Sequence, residues 1–399
     1  MIDLLDLTPQ LDGKQATMLD QGFPGGGDPE DLVRDAVRDR VVPGAVLITG
    51  TGVDGPVSTA AYGVTADGPA GRPVTTDTVF DLASLTKVVA TTTAVLRLAD
   101  TGALALDEPV HRHLPDFAAG DDKVRREVTV RHLLSHASGL PPHRDLWKLP
   151  GDRASRLAAV LAEPLETPPF TAVRYSDLGF ILLGEIVATV SGQPLDAAVQ
   201  ELVLDPLGLT ATRYLPPAQW RERTAATEVP PGGAPRCGVV HDENAECLGG
   251  VAGHAGLFGT GPDLARYLRD CWLSRDALLS PRIREEALRP QTEGLDGARG
   301  LGWTLPGDTW DHMSPSWPPT GAGHTGFTGT SLALDPASGI WVVLLTNAVH
   351  YGRGARAQDL RRRVHAAVAA RAVRATGSEE EPHAPRIHSS IGCPHGRRT

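Results

Sequence analysis

Lysine is scarce in this chain. Of its 38 basic side chains only four are lysine, namely Lys14, Lys87, Lys123 and Lys148, so positive charge is carried almost throughout by arginine. Arginine stays protonated in proteins, whereas a buried lysine can lose its proton; a lysine kept inside an apolar stretch therefore calls for a chemical reason. Cysteine is scarce as well. Cys237, Cys247, Cys271 and Cys393 show no CxxC spacing and read as reduced, mostly structural thiols. No apolar run approaches the ~20 residues that a membrane helix needs. Nor is there an excess of positive charge: the formal net charge is −10 and the sequence pI about 5.8. An acidic surface repels phosphate backbones and anionic lipid, so neither a nucleic-acid nor a membrane partner is expected. The opening residues MIDLLDLTPQLDGKQ show no basic segment followed by an apolar one, hence no secretory signal, and a cytoplasmic location is expected. The three glycines at 25–27 are not followed by GK[ST], which removes a phosphate loop, and no internal repeat of solenoid period is visible.

What is present is an ordinary globular composition, 41% hydrophobic and 22% charged over 399 residues, enough for a large core. Residues 1–30 are polar and Gly-rich and read as a flexible arm. A helical rhythm follows at 31–40, and GAVLITGT (44–51) with the run near 57–64 reads as paired strands. Residues 76–82 lead into a helix that starts about Ser84 and ends at Gly102. From 103 to 299 short helical pieces alternate with Pro- and Gly-bearing loops. Strand signals return at 330–336 and 339–348, separated by a turn, and a long amphipathic helix covers 355–373. The pattern predicts an α/β chain of the α+β type: an antiparallel sheet flanked by helices, with strands drawn from 31–102 and 300–374 and a mostly helical domain, 103–299, inserted between them. The tail, 375–399, reads as disordered.

Three stretches carry chemistry. In Phe80-Asp81-Leu82-Ala83-Ser84-Leu85-Thr86-Lys87, a serine opens a helix and a lysine sits one turn on, on the same face. A serine hydroxyl is a poor nucleophile until a base takes its proton. Burial among Val88 and Val89 is expected to depress the Lys87 pKa so that it can act as that base. The bland alternative is a capping serine beside a surface lysine. In Arg174-Tyr175-Ser176-Asp177, a tyrosine just before an apolar helix can present its hydroxyl to a cleft and share a proton with a lysine, or merely anchor the helix. In Gly323-His324-Thr325-Gly326-Phe327, glycines at a strand entry allow close approach of a substrate, or simply make a tight hairpin. A fourth stretch, Val240-His241-Asp242-Glu243-Asn244 before a Gly-rich loop, reads as a substrate rim or as a hydrogen-bonded closing loop. His132 and His136 are four apart and could offer two zinc ligands from a helix, but no third ligand of suitable spacing follows, so no metal is expected.

In that order, Ser-x-x-Lys, Tyr-x-Asp and His-Thr-Gly resemble the signature of penicillin-recognising serine enzymes, in the branch of class C β-lactamases and D-aminopeptidases. VTVRHLLSHASGLP (128–141) and LGW (301–303) strengthen the resemblance, which spans roughly residues 30–370. It implies the β-lactamase/transpeptidase-like fold and an acyl-enzyme mechanism that needs no cofactor. Carried over, Ser84 is acylated, Lys87 assists its deprotonation, and Tyr175 shares protons with Lys87 and serves the leaving group. The backbone N–H groups of Ser84 and Phe327 form the oxyanion hole, and Asp177, His324, Thr325, Gly326, His241, Asp242 and Asn244 line the substrate site. Two departures stand out. His324 replaces the lysine that supports recognition of a substrate carboxylate, which weakens the case for penicillin hydrolysis. Asp177 replaces an asparagine, and as an anion it would suit a substrate amine or hydroxyl.

The leading expectation is a serine hydrolase acting on a small acyl substrate, an amidase, peptidase or esterase, with muropeptide-like amides among the candidates. The alternative within the same chemistry is a cytoplasmic transacylase delivering the acyl group to an amine or alcohol acceptor. A third expectation, from a different class, is a silent binding protein for cell-wall fragments, against which the intact Ser84, Lys87 and Tyr175 argue.

Overall fold

The computed structural model describes residues 27–119, 122–230, 232–354 and 357–377; the expected arm and tail lie almost wholly outside them. Its strands are β1 (Gly44–Thr51), β2 (Val57–Gly63), β3 (Phe80–Asp81), β4 (Arg213–Tyr214), β5 (Leu257–Gly259), β6 (Ala322–Thr325), β7 (Ser331–Leu334) and β8 (Ile340–Thr346). The helices used below are α1 (Pro29–Arg38), α2 (Thr93–Asp100), α3 (Val130–Leu134), α4 (Asp177–Ser191), α5 (Glu243–Cys247), α6 (Gly261–Tyr267) and α7 (Ala357–Gly377).

The continuous apolar runs of β1 and β8 are buried on both faces, as such runs require. They pair with each other antiparallel, Leu47 opposite Leu344, in the middle of a five-stranded sheet of order β2-β1-β8-β7-β6. Strands from both ends of the chain thus meet in one sheet. Each large aliphatic side chain fully buried there is worth roughly 1.5–3 kcal/mol. One face, with Ala45, Leu47, Ala333, Val342 and Leu344, packs against α1 and α7. The other, with Val46, Ile48, Leu332, Trp341 and Val343, packs against the helical middle of the chain. A second small sheet, β3-β5-β4, ties the segment before Ser84 to that middle part.

Local chemistry fixes the ends of these elements. Asp28 caps α1 by accepting the Glu30 N–H at 3.0 Å, with Pro29 in its first turn. Ser176 caps α4 by accepting the Gly179 N–H at 3.2 Å, and Gly192 ends it in the left-handed region, φ 70°. Helix α4 is buried along most of its length, from Leu178 to Gly184 and again at Ile186 and Val187, so it runs through the interior. No single helix among the described residues is long and apolar enough to cross a membrane.

Candidate active site

Asp81 organises the approach to Ser84. It is buried, and its carboxylate accepts the Ala83 N–H at 2.8 Å and the His241 N–H at 2.7 Å. Burial pushes its pKa up against these two bonds. The first bond holds Ala83 at φ 47°, a region that a non-glycine residue adopts only when its surroundings impose it. Ser84 follows, and a π-helical stretch, Lys87–Thr92, precedes α2. Such wide turns are frequent at functional sites. Lys87 is fully buried and its Nζ donates to Ser84 Oγ at 3.0 Å.

The ammonium has three donors to place. Besides Ser84 it reaches the His254 carbonyl at 3.1 Å and Asp177 Oδ1 at 2.7 Å. The His254 carbonyl is brought in by a close crossing of two glycines: a Cβ on Gly253 would lie 2.0 Å from the Phe180 carbonyl and 3.0 Å from Gly184 Cα. The sequence-based expectation of a depressed Lys87 pKa is corrected here. Burial does push it down, but the Asp177 carboxylate, with Tyr175 behind it, outweighs burial and raises it above the ordinary lysine value. Asp177 is corrected in the same stroke. Burial would raise its pKa, but Lys87 and His143 hold it well below the usual carboxylate range, and its charge is committed to Lys87 rather than to a substrate amine.

Tyr175 lies over this pair. Lys87 Nζ sits 4.9 Å from its ring centroid and the Arg299 guanidinium 5.7 Å. Its ring packs on His136 at 4.6 Å, on His324 at 6.0 Å and on Trp310 at 6.4 Å. His136, the second half of the His-x-x-x-His pair, is buried and strained at φ 58°, and its Nδ1 accepts the Ser176 N–H at 3.0 Å. Burial, then the nearby cations, keep it neutral, so its Nε2 carries the proton. His132 is used otherwise, in the cap of α3, with Nδ1 accepting the Thr129 N–H at 3.2 Å.

His324 is buried on β6, and burial followed by the Lys87 charge lowers its pKa to about 3. Its Nδ1–H donates to the Thr325 carbonyl at 2.8 Å, leaving Nε2 as a buried lone pair without a partner among the described residues. A neutral imidazole cannot do what the lysine of the resembling family does for a carboxylate. Thr325 alternates to the other face of the strand, so it offers the site its backbone. The next turn is stapled to the segment before Ser84: Thr328 Oγ1 donates to the Asp81 carbonyl at 2.7 Å and Thr330 Oγ1 to that of Leu82 at 3.2 Å. A Cβ on Gly326 would meet Leu82 O at 2.5 Å, so the turn lies directly against the residues before Ser84. Neither the Ser84 nor the Phe327 N–H donates to another backbone group among the described residues.

The rim holds two exposed aromatics. Phe327 stacks on the buried His241 ring at 5.7 Å, and Trp310 stands beside Tyr175. Trp310 is fixed through Asp308, whose Oδ1 accepts its N–H at 2.8 Å and Arg299 Nη2 at 2.9 Å, both partners of the latter pair being buried. Asp242 caps α5 and accepts from His254 Nε2 at 2.9 Å; burial opposes its charge, but His254 wins and lowers its pKa. Asn244 does not serve the rim as expected. It is buried, with Oδ1 accepting the Leu146 N–H at 2.9 Å and Nδ2 donating to the Arg144 carbonyl at 2.8 Å, so it fastens the 143–146 loop. That loop contributes His143, which touches Asp177 at 3.8 Å and Asp145 at 3.2 Å. Contact with Asp177 raises its pKa against partial burial. Asp81, His136, His143 and Arg299 went unassigned in the sequence. Asp81 had a local signal, three residues before Ser84, and His136 had one in its spacing from His132, which pointed to zinc and not to the role it plays.

The antiparallel sheet with helices on both faces, and a helical insertion that closes over a serine at its edge, is the β-lactamase/transpeptidase-like fold. Residues 30–367 match the Beta-lactamase family model. A protein of Escherichia coli K12 that carries the provisional name D-alanyl-D-alanine carboxypeptidase is 35% identical over 310 residues, 69% of this chain and 70% of that one. A relative of the same name from Salmonella typhimurium is 31% identical over the same length, 69% of this chain and 71% of that one. Among solved structures, EstCE1, a hydrolase with promiscuous acyltransferase activity, superposes with a TM-score of 0.67 at 24% identity, covering 84% of this chain and 97% of that one. The LovD6 mutant of simvastatin synthase from Aspergillus terreus gives 0.68 at 24% identity, with 87% and 96% covered. The chain belongs to the beta-lactamase family, and it is a serine hydrolase or acyltransferase of that family.

Proposed function

We propose that Ser84 is the nucleophile of an acyl-enzyme cycle on a small neutral acyl substrate, with water as the acceptor. The observation that carries this reading is the 3.0 Å contact between Ser84 Oγ and a fully buried Lys87, beneath the Tyr175 ring. An ammonium that already donates to Ser84 cannot take its proton. Lys87 becomes a base only after passing a proton to the Asp177 carboxylate; Ser84 then attacks the acyl carbon, its proton goes to the lysine, and Tyr175 protonates the leaving group as its bond to the acyl carbon breaks and recovers its own proton from Lys87. The free Ser84 and Phe327 N–H groups would stabilise the oxyanion.

Neutral His324 in the third motif argues for a substrate without a carboxylate at that point, and its free Nε2 suits a substrate donor. Trp310 and Phe327 offer apolar surface to the acyl chain. Exposed aromatic surface at the rim also favours a second reading, transfer to an amine or alcohol, because such an acceptor needs a surface to dock on and water does not. Three unpaired thiols, Cys237, Cys247 and Cys271, fit the cytoplasmic location that belongs to this proposal; cell fractionation tests it.

The experiment is labelling with a fluorophosphonate, read by intact mass and peptide mapping, followed by turnover of neutral esters and amides with and without added amines or alcohols. One adduct on Ser84, absent from Ser84→Ala, is expected. Substantial turnover by a folded Ser84→Ala variant would sink the proposal.

A further inference from the structure

Arg361 projects from α7 toward the back of the turn that follows β6. Its Nη2 donates to the Gly326 carbonyl at 2.6 Å, yet no carboxylate pairs with it among the described residues, and its Nε is buried without a partner. Burial alone pulls its pKa down, to about 10. The neighbouring rings give no compensating charge: burial, then Arg361 itself, hold His365 near 3, and His312 is likewise kept neutral by burial. An enclosed cation without a counter-ion is costly, and its one resolved bond goes to a single peptide oxygen.

That peptide is the one whose nitrogen belongs to Phe327. In a trans peptide the C=O and N–H point in opposite directions, and there is no cis bond among the described residues. Arg361 holds the oxygen, the Gly326 N–H is tied to the Thr330 carbonyl at 2.8 Å, and the Gly326 Cα is wedged against Leu82 and Ala83. The orientation of the plane is thereby set, with the Phe327 N–H turned away from α7. We infer that Arg361 is a positioning residue for the oxyanion hole, pinning the Gly326–Phe327 peptide and polarising it so that the Phe327 N–H is a stronger donor to the developing oxyanion. A charge-assisted bond to a carbonyl draws electron density from the amide nitrogen and strengthens its N–H as a donor, the cooperativity known for hydrogen-bond chains. The catalytic half of this inference rests on the acyl-transfer reading; the peptide contact does not.

The test labels glycine carbonyl carbons with ¹³C and phenylalanine nitrogens with ¹⁵N. Only three Gly–Phe pairs occur in the sequence, 22–23, 179–180 and 326–327, so three linked signals are expected, and Phe327→Leu identifies the third. In Arg361→Met the Gly326 carbonyl should move upfield and the Phe327 amide should shift with it, while the Gly179–Phe180 signal stays as an internal control of folding. With a neutral ester, kcat should fall roughly tenfold, short of the 10²–10³ that outright loss of an oxyanion donor costs, with KM held within about twofold. Arg361→Lys should restore much of both. An unmoved Gly326 signal, or a moved signal with unchanged kcat, overturns the inference. A loss of kcat that Arg361→Lys fails to recover although the signal returns also counts against it, since that pattern marks a structural defect. If the wild type turns over no ester while the Gly326 signal still responds, it is the acyl-transfer reading that fails, and the catalytic half of the inference with it.

Discussion

A single carboxylate sets the protonation state of Lys87, the partner of Ser84. Asparagine at position 177 would leave burial as the main influence on Lys87, and burial favours the neutral amine. Asp177 reverses that balance. The expected outcome for Asp177→Asn is therefore a fall in the Lys87 pKa, by about one to three units for the loss of an opposite charge at this range. The ascending limb of the kcat/KM profile, which reports the group that must lose a proton, should move to lower pH by that amount. A limb that stays in place or moves up would show that Lys87 is not the group that titrates. Sequence reasoning placed the Ser84–Lys87 pair correctly on one face because a spacing of three fixes this in any helical turn. It misjudged the charge state because Asp177 is ninety residues away in the chain and meets Lys87 only when α4 packs beside the π-helical stretch Lys87–Thr92.

At the scale of elements, the site depends on close crossings that only small residues permit. Helix α4 meets the loop at 253–254 through Gly184 and Gly253, and that contact delivers the His254 carbonyl to Lys87. Gly253→Ala puts a methyl group 2.0 Å from the Phe180 carbonyl, so backbone must shift. The expectation is a loss of about 1–3 kcal/mol in urea unfolding together with a drop in fluorophosphonate labelling rate, because the Lys87 ammonium loses a partner. Full stability and unchanged labelling would mean that the loop accommodates the methyl without moving His254. The sequence displayed the Gly-rich run 249–260 but not its counterpart in α4, since a glycine inside an apolar helix has no local signature of what will press against it.

At the scale of the molecule, the Lys87–Asp177 pair is also a term in folding. Asp177 has a folded pKa below its unfolded 3.8, so its share of stability is present above about pH 4 and is lost as pH falls through the folded value. Lys87 has a folded pKa above its unfolded 10.5, so its share is present below that pH and is lost only at strongly alkaline pH. Between the two limits the pair is intact. Asp177→Asn leaves the buried ammonium without its anion and should cost about 3–5 kcal/mol at pH 7. The gap to wild type should narrow as the pH is taken below 3.8, because there the unfolded wild type gains a proton that the folded form resists. Chemical denaturation at pH 7 and at pH 3 checks this; a gap that widens in acid would contradict the pairing.

The sequence by itself determined the elements and the linear signature. The apolar, β-branched runs read as strands, the apolar stretch after Tyr175 reads as a helix, and three short motifs in a fixed order carry the family resemblance. Tertiary structure decided the chemistry around them. The contact of α4 with the Lys87–Thr92 stretch set the charge on Lys87, Asp308 fixed Arg299 and Trp310 beside Tyr175, Arg144 and Leu146 claimed Asn244, and Arg361 reached Gly326 from the far side of the sheet. Apart from the local Asp308 contacts, these join residues well apart in the chain, and the energies involved, desolvation and Coulomb attraction, depend on distances that exist only once the chain has closed on itself.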